Sequence, residues 1–228
     1  MLAADETERV WGWGTPAGRL RAGRRGALIA RGAGLGPGVR ALEIGCGTGL
    51  FTEMFARSGA EILAVDLSAD LLRKARARNL PPTVTFRNEP FEACAAEGPF
   101  DAVIGSSVLH HLELGGALRK IRELLRPGGA LSFAEPNLLN PQVFAERAFR
   151  PLFPYISPDE TAFRAGRLRR DLARGGFAEI RVTPFDWLHP ATPPGWIGPV
   201  RRLGDALEAT PVLRAFAGSL RIRAVRAP

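Results

Sequence analysis

Residues 41–52, Ala-Leu-Glu-Ile-Gly-Cys-Gly-Thr-Gly-Leu-Phe-Thr, combine a short apolar run, one acid and three alternating glycines. Ala41, Leu42 and Ile44 read as a buried strand, with Glu43 at its end, and a helix starts near Leu50. Gly45, Gly47 and Gly49 fall in the turn between them. Glycine lets the backbone take positive φ and approach a ligand closely. A glycine turn between strand and helix is where open α/β sheets bind nucleotide-like ligands.

The spacing excludes one ligand class. A dinucleotide turn needs Gly-x-Gly-x-x-Gly. Counted from Gly45 the third glycine would stand where Leu50 is, and counted from Gly47 where Thr52 is.

The chain has 228 residues, 46% of them hydrophobic, enough for one α/β domain with a substantial core. No apolar run approaches the ~20 residues of a membrane span. The N-terminus, Met-Leu-Ala-Ala-Asp-Glu-Thr-Glu, is acidic and lacks the pattern of a signal peptide, so a cytoplasmic protein is expected. Cys46 and Cys94 are the two cysteines and are expected to be free thiols, with no Cys/His metal spacing and no metal. Net charge is +8. An anionic partner would fit that charge. The basic residues are scattered, and lysine occurs only at 74 and 120, so an arginine-rich composition explains the charge as well.

Strands and helices alternate along the chain, as in a mostly parallel sheet. Thr15-Pro16 opens a helix running to about Arg31. Strands are expected at about 40–44, 61–65, 84–86, 100–104, 130–134, 177–183 and 220–225. Helices are expected at about 50–57, after Ser68, through Leu114, Leu118, Ile121 and Leu125, and at 167–174. Arg126-Pro-Gly-Gly129 is expected to stop the third of these, and Ser157-Pro-Asp-Glu160 has the form of a capping box. Residues 137–156 read as irregular. The expectation is a single domain over 1–228, with a helical cap at 1–39 and insertions at 137–165 and 184–217.

Four further features stand where a nucleoside would need them. Asp66 ends the second strand and can accept hydrogen bonds from ribose hydroxyls. Leu67 beside it can touch a base, and Asn88-Glu89 ends the third strand. Phe100 to Leu112, including Ser106, His110 and His111, forms a strand and helix start, and Arg126-Pro-Gly-Gly129 precedes the fifth strand. Asp101, at the start of its strand, reads as structural. Taken in this order, residues 40–135 resemble the class I S-adenosylmethionine (SAM) dependent methyltransferases, and the closest likeness is to the ubiquinone/menaquinone-biosynthesis-like group. Asn88 departs from the aspartate usual there.

The resemblance implies a Rossmann-like doubly wound α/β fold with seven strands in the order 3-2-1-4-5-7-6, the last strand antiparallel. It implies SAM as cofactor, S-adenosylhomocysteine as product, and a cofactor site of Glu43, Gly45, Cys46, Gly47, Gly49, Asp66, Leu67, Asn88, Glu89, Ser106 and His111. The sulfonium methyl is already activated, so the protein mainly aligns a nucleophile with it. A base is needed where the acceptor must lose a proton, and His110, His111, His189 and Tyr155 are the candidates.

The expected acceptor is a small organic molecule methylated on O or C. Trp11, Trp13, Phe149, Phe153, Tyr155, Trp187 and Trp196 lie in the segments that would select it, and Arg19, Arg21, Arg24 and Arg25 could meet a carboxylate or phosphate. Nucleic acid is disfavoured: Gly105-Ser-Ser-Val108 stands where amino methyltransferases of bases carry Asn/Asp-Pro-Pro-Tyr/Phe, and no Pro-Cys nucleophile exists. RNA methylation and a SAM-binding homologue without methyl transfer, cyclase-like or regulatory, stay open. A monomer or homodimer is expected.

Overall fold

The computed structural model describes residues 8–154, 156 and 160–228. Seven strands form one sheet: β1 (Arg40–Ile44), β2 (Glu61–Asp66), β3 (Val84–Asn88), β4 (Phe100–Ser106), β5 (Leu125–Pro136), β6 (Phe177–Phe185) and β7 (Ser219–Arg226). Their order is 3-2-1-4-5-7-6. β1 to β5 run parallel, and β7 is antiparallel to both β5 and β6. The order and the reversed last strand agree with the sequence expectation.

Two layers of helix cover the sheet. On one face lie α1 (Pro16–Ala33), α2 (Leu50–Ala56) and α3 (Ala69–Ala77). The strands offer that face Ala41, Ala64, Ala102 and Ala134, which pack with Ile29, Phe55 and Leu72. Small side chains there let helix backbone come close. Ser132 Oγ donates to the Ile29 carbonyl at 2.9 Å, and a Cβ at Gly32 would collide with Ser132 Oγ. The other face carries larger residues, Leu42, Ile44, Val103, Leu131 and Phe133. These pack with Leu118 and Ile121 of α4 (Leu114–Leu124) and Leu168 and Leu172 of α6 (Ala165–Arg174). Complete burial of such side chains contributes about 1.5–3 kcal/mol each.

Helix starts follow local chemistry. Thr15 Oγ1 accepts from Gly18 N–H, with Pro16 at the first helical position. Ser68 accepts from Leu71 N–H, and Glu113 from Gly115 and Gly116 N–H.

Three expectations need correction. The fourth helix ends at Leu124, and Leu125 already belongs to β5, paired with Phe100. Arg126-Pro-Gly-Gly129 is therefore not a turn between elements but a bulge inside β5, opposite Asp101, because Pro127 cannot continue a helix and Gly128 has φ +74°. Residues 137–156 contain a helix, α5 (Pro141–Ala148), opened by Asn140 and Pro141. The second insertion holds α7 (Ile197–Ala209) and α8 (Pro211–Arg214). Tyr155 and most of the Ser157–Glu160 capping box lie outside the described residues.

Asp101 has the structural role expected of it. Its carboxylate accepts from Arg40 N–H at 2.8 Å and Arg126 Nε at 2.6 Å, which lowers its pKa.

Candidate cofactor and acceptor site

The glycine turn leaves the carboxyl end of β1 with Gly45, Gly47 and Gly49 at φ +65°, +54° and +75°. Each glycine meets a different neighbour. A Cβ on Gly45 would sit 2.5 Å from Val108 Cγ2, and on Gly49 2.9 Å from Ala75 Cβ. A Cβ on Gly47 would meet no atom within 4 Å. Gly45 and Gly49 therefore serve close packing of the turn, whereas Gly47 faces open space. A valine at 45 combines overpacking with a left-handed residue, so Gly45→Val should lower the unfolding free energy by about 2–4 kcal/mol in a urea titration. An unchanged midpoint would contradict this account of the turn.

Asp66 ends β2 beside the turn. Its Oδ2 accepts from Gly47 N–H at 2.7 Å and its Oδ1 from Ser68 N–H at 2.8 Å. Burial raises its pKa. Asn88 donates to the Asp66 carbonyl at 3.0 Å, so the ends of β2 and β3 are tied together. Leu67 points outward, 62% exposed, next to the carboxylate. Glu89 turns instead toward the following segment, accepting from Cys94 Sγ at 3.1 Å and Ala95 N–H at 3.2 Å. Cys46 is buried in the turn, and burial pushes its thiol pKa up, so it serves as a small filler and not as a nucleophile.

Glu43 is 2% exposed, and its Oε2 has no hydrogen-bond partner. Burial, with the Asp66 carboxylate adding to it, pushes its pKa up to about 8. In the unfolded chain a glutamate titrates near ~4.3. Between those values the folded state holds the extra proton, so stability falls as pH rises from about 4.5 to about 8 and then levels off. The neutral Glu43→Gln variant should lack that slope, a difference on the order of 3–5 kcal/mol between pH 5 and 8 in urea unfolding. Identical slopes in both proteins would refute the buried, protonated Glu43.

Arg25 of α1 reaches the turn that follows β4. It is 4% exposed. One terminal nitrogen donates to Ser106 Oγ at 3.2 Å and Ser107 Oγ at 2.7 Å, the other to Ser219 Oγ at 2.7 Å. Nε is buried without a partner. Burial first, then repulsion from Arg21, bring the guanidinium down to about 10. The cation is thus enclosed and hydrogen-bonded to neutral hydroxyls at the carboxyl end of β4 and the start of β7.

The N-terminal segment closes over the turn. Glu8 accepts from Thr48 Oγ1 at 2.6 Å and from Arg78 at 2.7 Å, and Arg78 Nε donates to the Thr48 carbonyl at 2.7 Å. Trp13 stands edge-on to Phe51, ring centres 5.6 Å apart.

The two adjacent histidines follow β4 in a short 3-10 turn and differ in setting. His110 is buried, with Nδ1 2.7 Å from Glu135 Oε2. Glu135 Oε1 accepts from Val108 and Leu109 N–H, so this carboxylate fixes the whole turn to β5. His111 is exposed and lies against His110 with ring centres 4.2 Å apart and the rings tilted by 37°. A ligand atom from each histidine and from Glu160 lie within 4.8 Å of one another. Arg147 lies 3.5 Å from Glu160 Oε2, so the one carboxylate of that trio already has a cation beside it. His189, in the second insertion, lies 3.3 Å from Gln142 of α5. Burial, then Arg21, lower its pKa, which leaves it neutral near pH 7.

The structure thus brings Glu43, Gly45, Cys46, Gly47, Gly49 and Asp66 into one cradle, with Asn88 tied to it and Ser106 reached through Arg25. The chemistry of this cradle, an open backbone approach at Gly47, the Asp66 carboxylate and the enclosed Arg25 cation, is compatible with a nucleoside bearing a charged amino-acid tail.

Residues 41–129 match the family model of the methyltransferase domain. Over this stretch the chain is similar to SAM-dependent methyltransferase domains. The ubiquinone biosynthesis O-methyltransferase of Xanthomonas campestris pv. campestris is 40% identical over 114 residues, which are 48% of this chain and 47% of that protein. The chain thus spans about half the length of the curated relatives it matches. The SAM-dependent methyltransferase of Mesorhizobium loti superposes with TM-score 0.64 at 22% identity over 88% of this chain and 96% of that one. Magnesium protoporphyrin IX methyltransferase of Synechocystis, solved with bound S-adenosylhomocysteine, gives 0.62 at 20% identity over 91% and 85%. At these identities the structural likenesses speak for the fold.

Proposed function

We propose that the protein transfers the methyl group of SAM to an O or C atom of a small organic molecule. The observation that carries this reading is the cradle at Gly47, open toward solvent and flanked by the Asp66 carboxylate. SAM supplies an electrophilic methyl on a sulfonium. The chain's own residues bind and align. Asp66 accepts from the ribose hydroxyls, and Leu67 lies against the adenine, whose edge Asn88 meets. Ser106 and Arg25 hold the carboxylate of the amino-acid tail, and Glu43 Oε2 faces its ammonium. A cation arriving beside a protonated Glu43 favours its ionisation, so binding near pH 7 should release a proton.

His111, at the rim beyond β4, is the group assigned to the acceptor hydroxyl or acidic carbon, with His110 and Glu135 fixing its turn. His189 faces the same edge from the second insertion. The Xanthomonas relatives' name, ubiquinone biosynthesis O-methyltransferase, supports a small-molecule acceptor and an oxygen as the methylated atom.

The test is turnover. SAM is incubated with the protein and a panel of phenols, quinols and acidic-carbon compounds, and S-adenosylhomocysteine is quantified by mass spectrometry. Product formed with one class, and reduced in His111→Ala, supports the reading. Tight SAM binding with no product from any small molecule, and methyl label entering RNA, would replace it with RNA methylation.

A further inference from the structure

Helices α4 and α6 both cover the large-residue face of the sheet, opposite α1, α2 and α3. Leu118 of α4 and Leu168 and Leu172 of α6 are buried against it. Above these side chains the two helices leave a groove of about 630 Å³, with Leu114 and Leu118 as its apolar lining and Gly175 and Gly176 beyond the end of α6. No residue assigned to the cradle or to the acceptor lines it.

The groove carries four arginines, Arg119 and Arg122 from α4 and Arg167 and Arg174 from α6, against Glu113 and Asp171. The two acids do not satisfy them. The Glu113 oxygens accept from Gly115 and Gly116 N–H at 2.9 and 2.6 Å. Asp171 stands 3.7 Å from Arg167 and 3.8 Å from Arg174, too far for a hydrogen bond to either. Arg122 is half-buried, and its Nε is shielded from solvent with no hydrogen-bond partner. Its place depends on Gly176, at φ +80°: a Cβ there would lie 2.7 Å from Arg122 Nε and 3.2 Å from its Cδ. A shielded donor without an acceptor is destabilising, and an anion that accepts from it removes that cost. The planar guanidinium fork matches phosphate oxygens.

Size and surroundings select the anion. Arg119 and Arg122 are one helical turn apart and Arg167 and Arg174 two, so the cations gather within about 10 Å along the helices, the reach of a few phosphoryl groups. The other side of α4 is lined by Glu92 and Glu123 together with Lys120, whose ammonium already donates to the Glu92 and Cys94 carbonyls. A polynucleotide crossing α4 would meet those carboxylates, which repel its backbone.

We propose that the groove between α4 and α6 binds a compact polyphosphate, carried by a nucleoside triphosphate or free, as a second ligand bound together with the cofactor. Arg122 holds it at the base of the groove, and Arg119, Arg167 and Arg174 close on it from the exposed walls. The site stands on its own residues and does not depend on the proposed methyl transfer.

The test is a calorimetric titration of the full chain with tripolyphosphate, without and with saturating S-adenosylhomocysteine. The proposal expects one anion per chain in both cases, bound more weakly as salt is added. Arg119→Gln/Arg167→Gln, on two exposed side chains, and Arg122→Gln should each lower the affinity about tenfold or more, with the melting temperature and S-adenosylhomocysteine affinity kept. Arg57→Gln/Arg73→Gln removes two exposed positive charges away from the groove and should leave tripolyphosphate affinity unchanged. No saturation, or equal losses in the groove and control variants, overturns the proposal. Binding seen only without S-adenosylhomocysteine would place the anion at Arg25 and overturn it as well. ATP distinguishes the source: affinity above that of tripolyphosphate points to a nucleotide whose base lies on Leu114, and equal affinity to the polyphosphate alone. Single-stranded RNA that binds more tightly than either, and is weakened by the same groove variants, would make the groove part of a nucleic-acid surface and overturn the small-anion reading.

Discussion

Replacing Gly47 by valine should abolish cofactor binding while leaving a folded protein. The valine Cβ meets no protein atom within 4 Å, so within the chain it costs only the left-handed backbone at φ +54°, about 1–2 kcal/mol. Its branches fill the space that a nucleoside must enter. The expected loss of S-adenosylhomocysteine affinity is at least about 100-fold, or ~2.7 kcal/mol. Calorimetric titration of the variant, alongside its thermal melt, measures both. A folded variant with unchanged affinity would show that the ligand does not approach this turn. The contrast with Gly45→Val is diagnostic, because there the clash is with Val108 and the loss falls on stability.

Arg25→Met should separate the two ends of the cofactor. The guanidinium is aimed by three serine hydroxyls and keeps a buried Nε without a partner. A charge-assisted hydrogen bond to a carboxylate contributes about 1.5–3 kcal/mol, so S-adenosylhomocysteine should bind about 10- to 150-fold more weakly. 5′-Methylthioadenosine, which lacks the amino-acid tail, should bind the variant as it binds the parent. Methionine has a similar reach and no desolvation cost, so the fold should survive, and Arg25→Lys should recover part of the affinity. Equal losses for both ligands would make Arg25 a structural residue. No loss for either would remove it from the site.

The parts of this account that were legible in the sequence are those written in local chemistry. The strand, three glycines and helix at 41–52 carry their own geometry, and Asp66 follows at the end of the next strand. Alternation of strands and helices implied the layered sheet, and the resemblance supplied its order. What was hidden depends on long-range partners. Arg25 stood among four arginines of one helix, and only contacts with serines 81, 82 and 194 residues away set it apart. The Glu8–Arg78–Thr48 lock and the Glu135–His110 pair are hidden for the same reason. Helix α7 was missed because Gly198, Pro199 and Gly204 weaken its helical signal and Gly204 is its one buried residue. Helix α5 could have been read, since Asn140-Pro141 repeats the start signal of Thr15-Pro16.

The most direct test of the central claim is a calorimetric titration of the protein with SAM and with S-adenosylhomocysteine, using NAD as the control. The account predicts saturable binding of both sulfur nucleosides at one site, none of NAD, and a proton released near pH 7 that Glu43→Gln no longer releases. Binding of NAD in their place, or of none of the three, would contradict it.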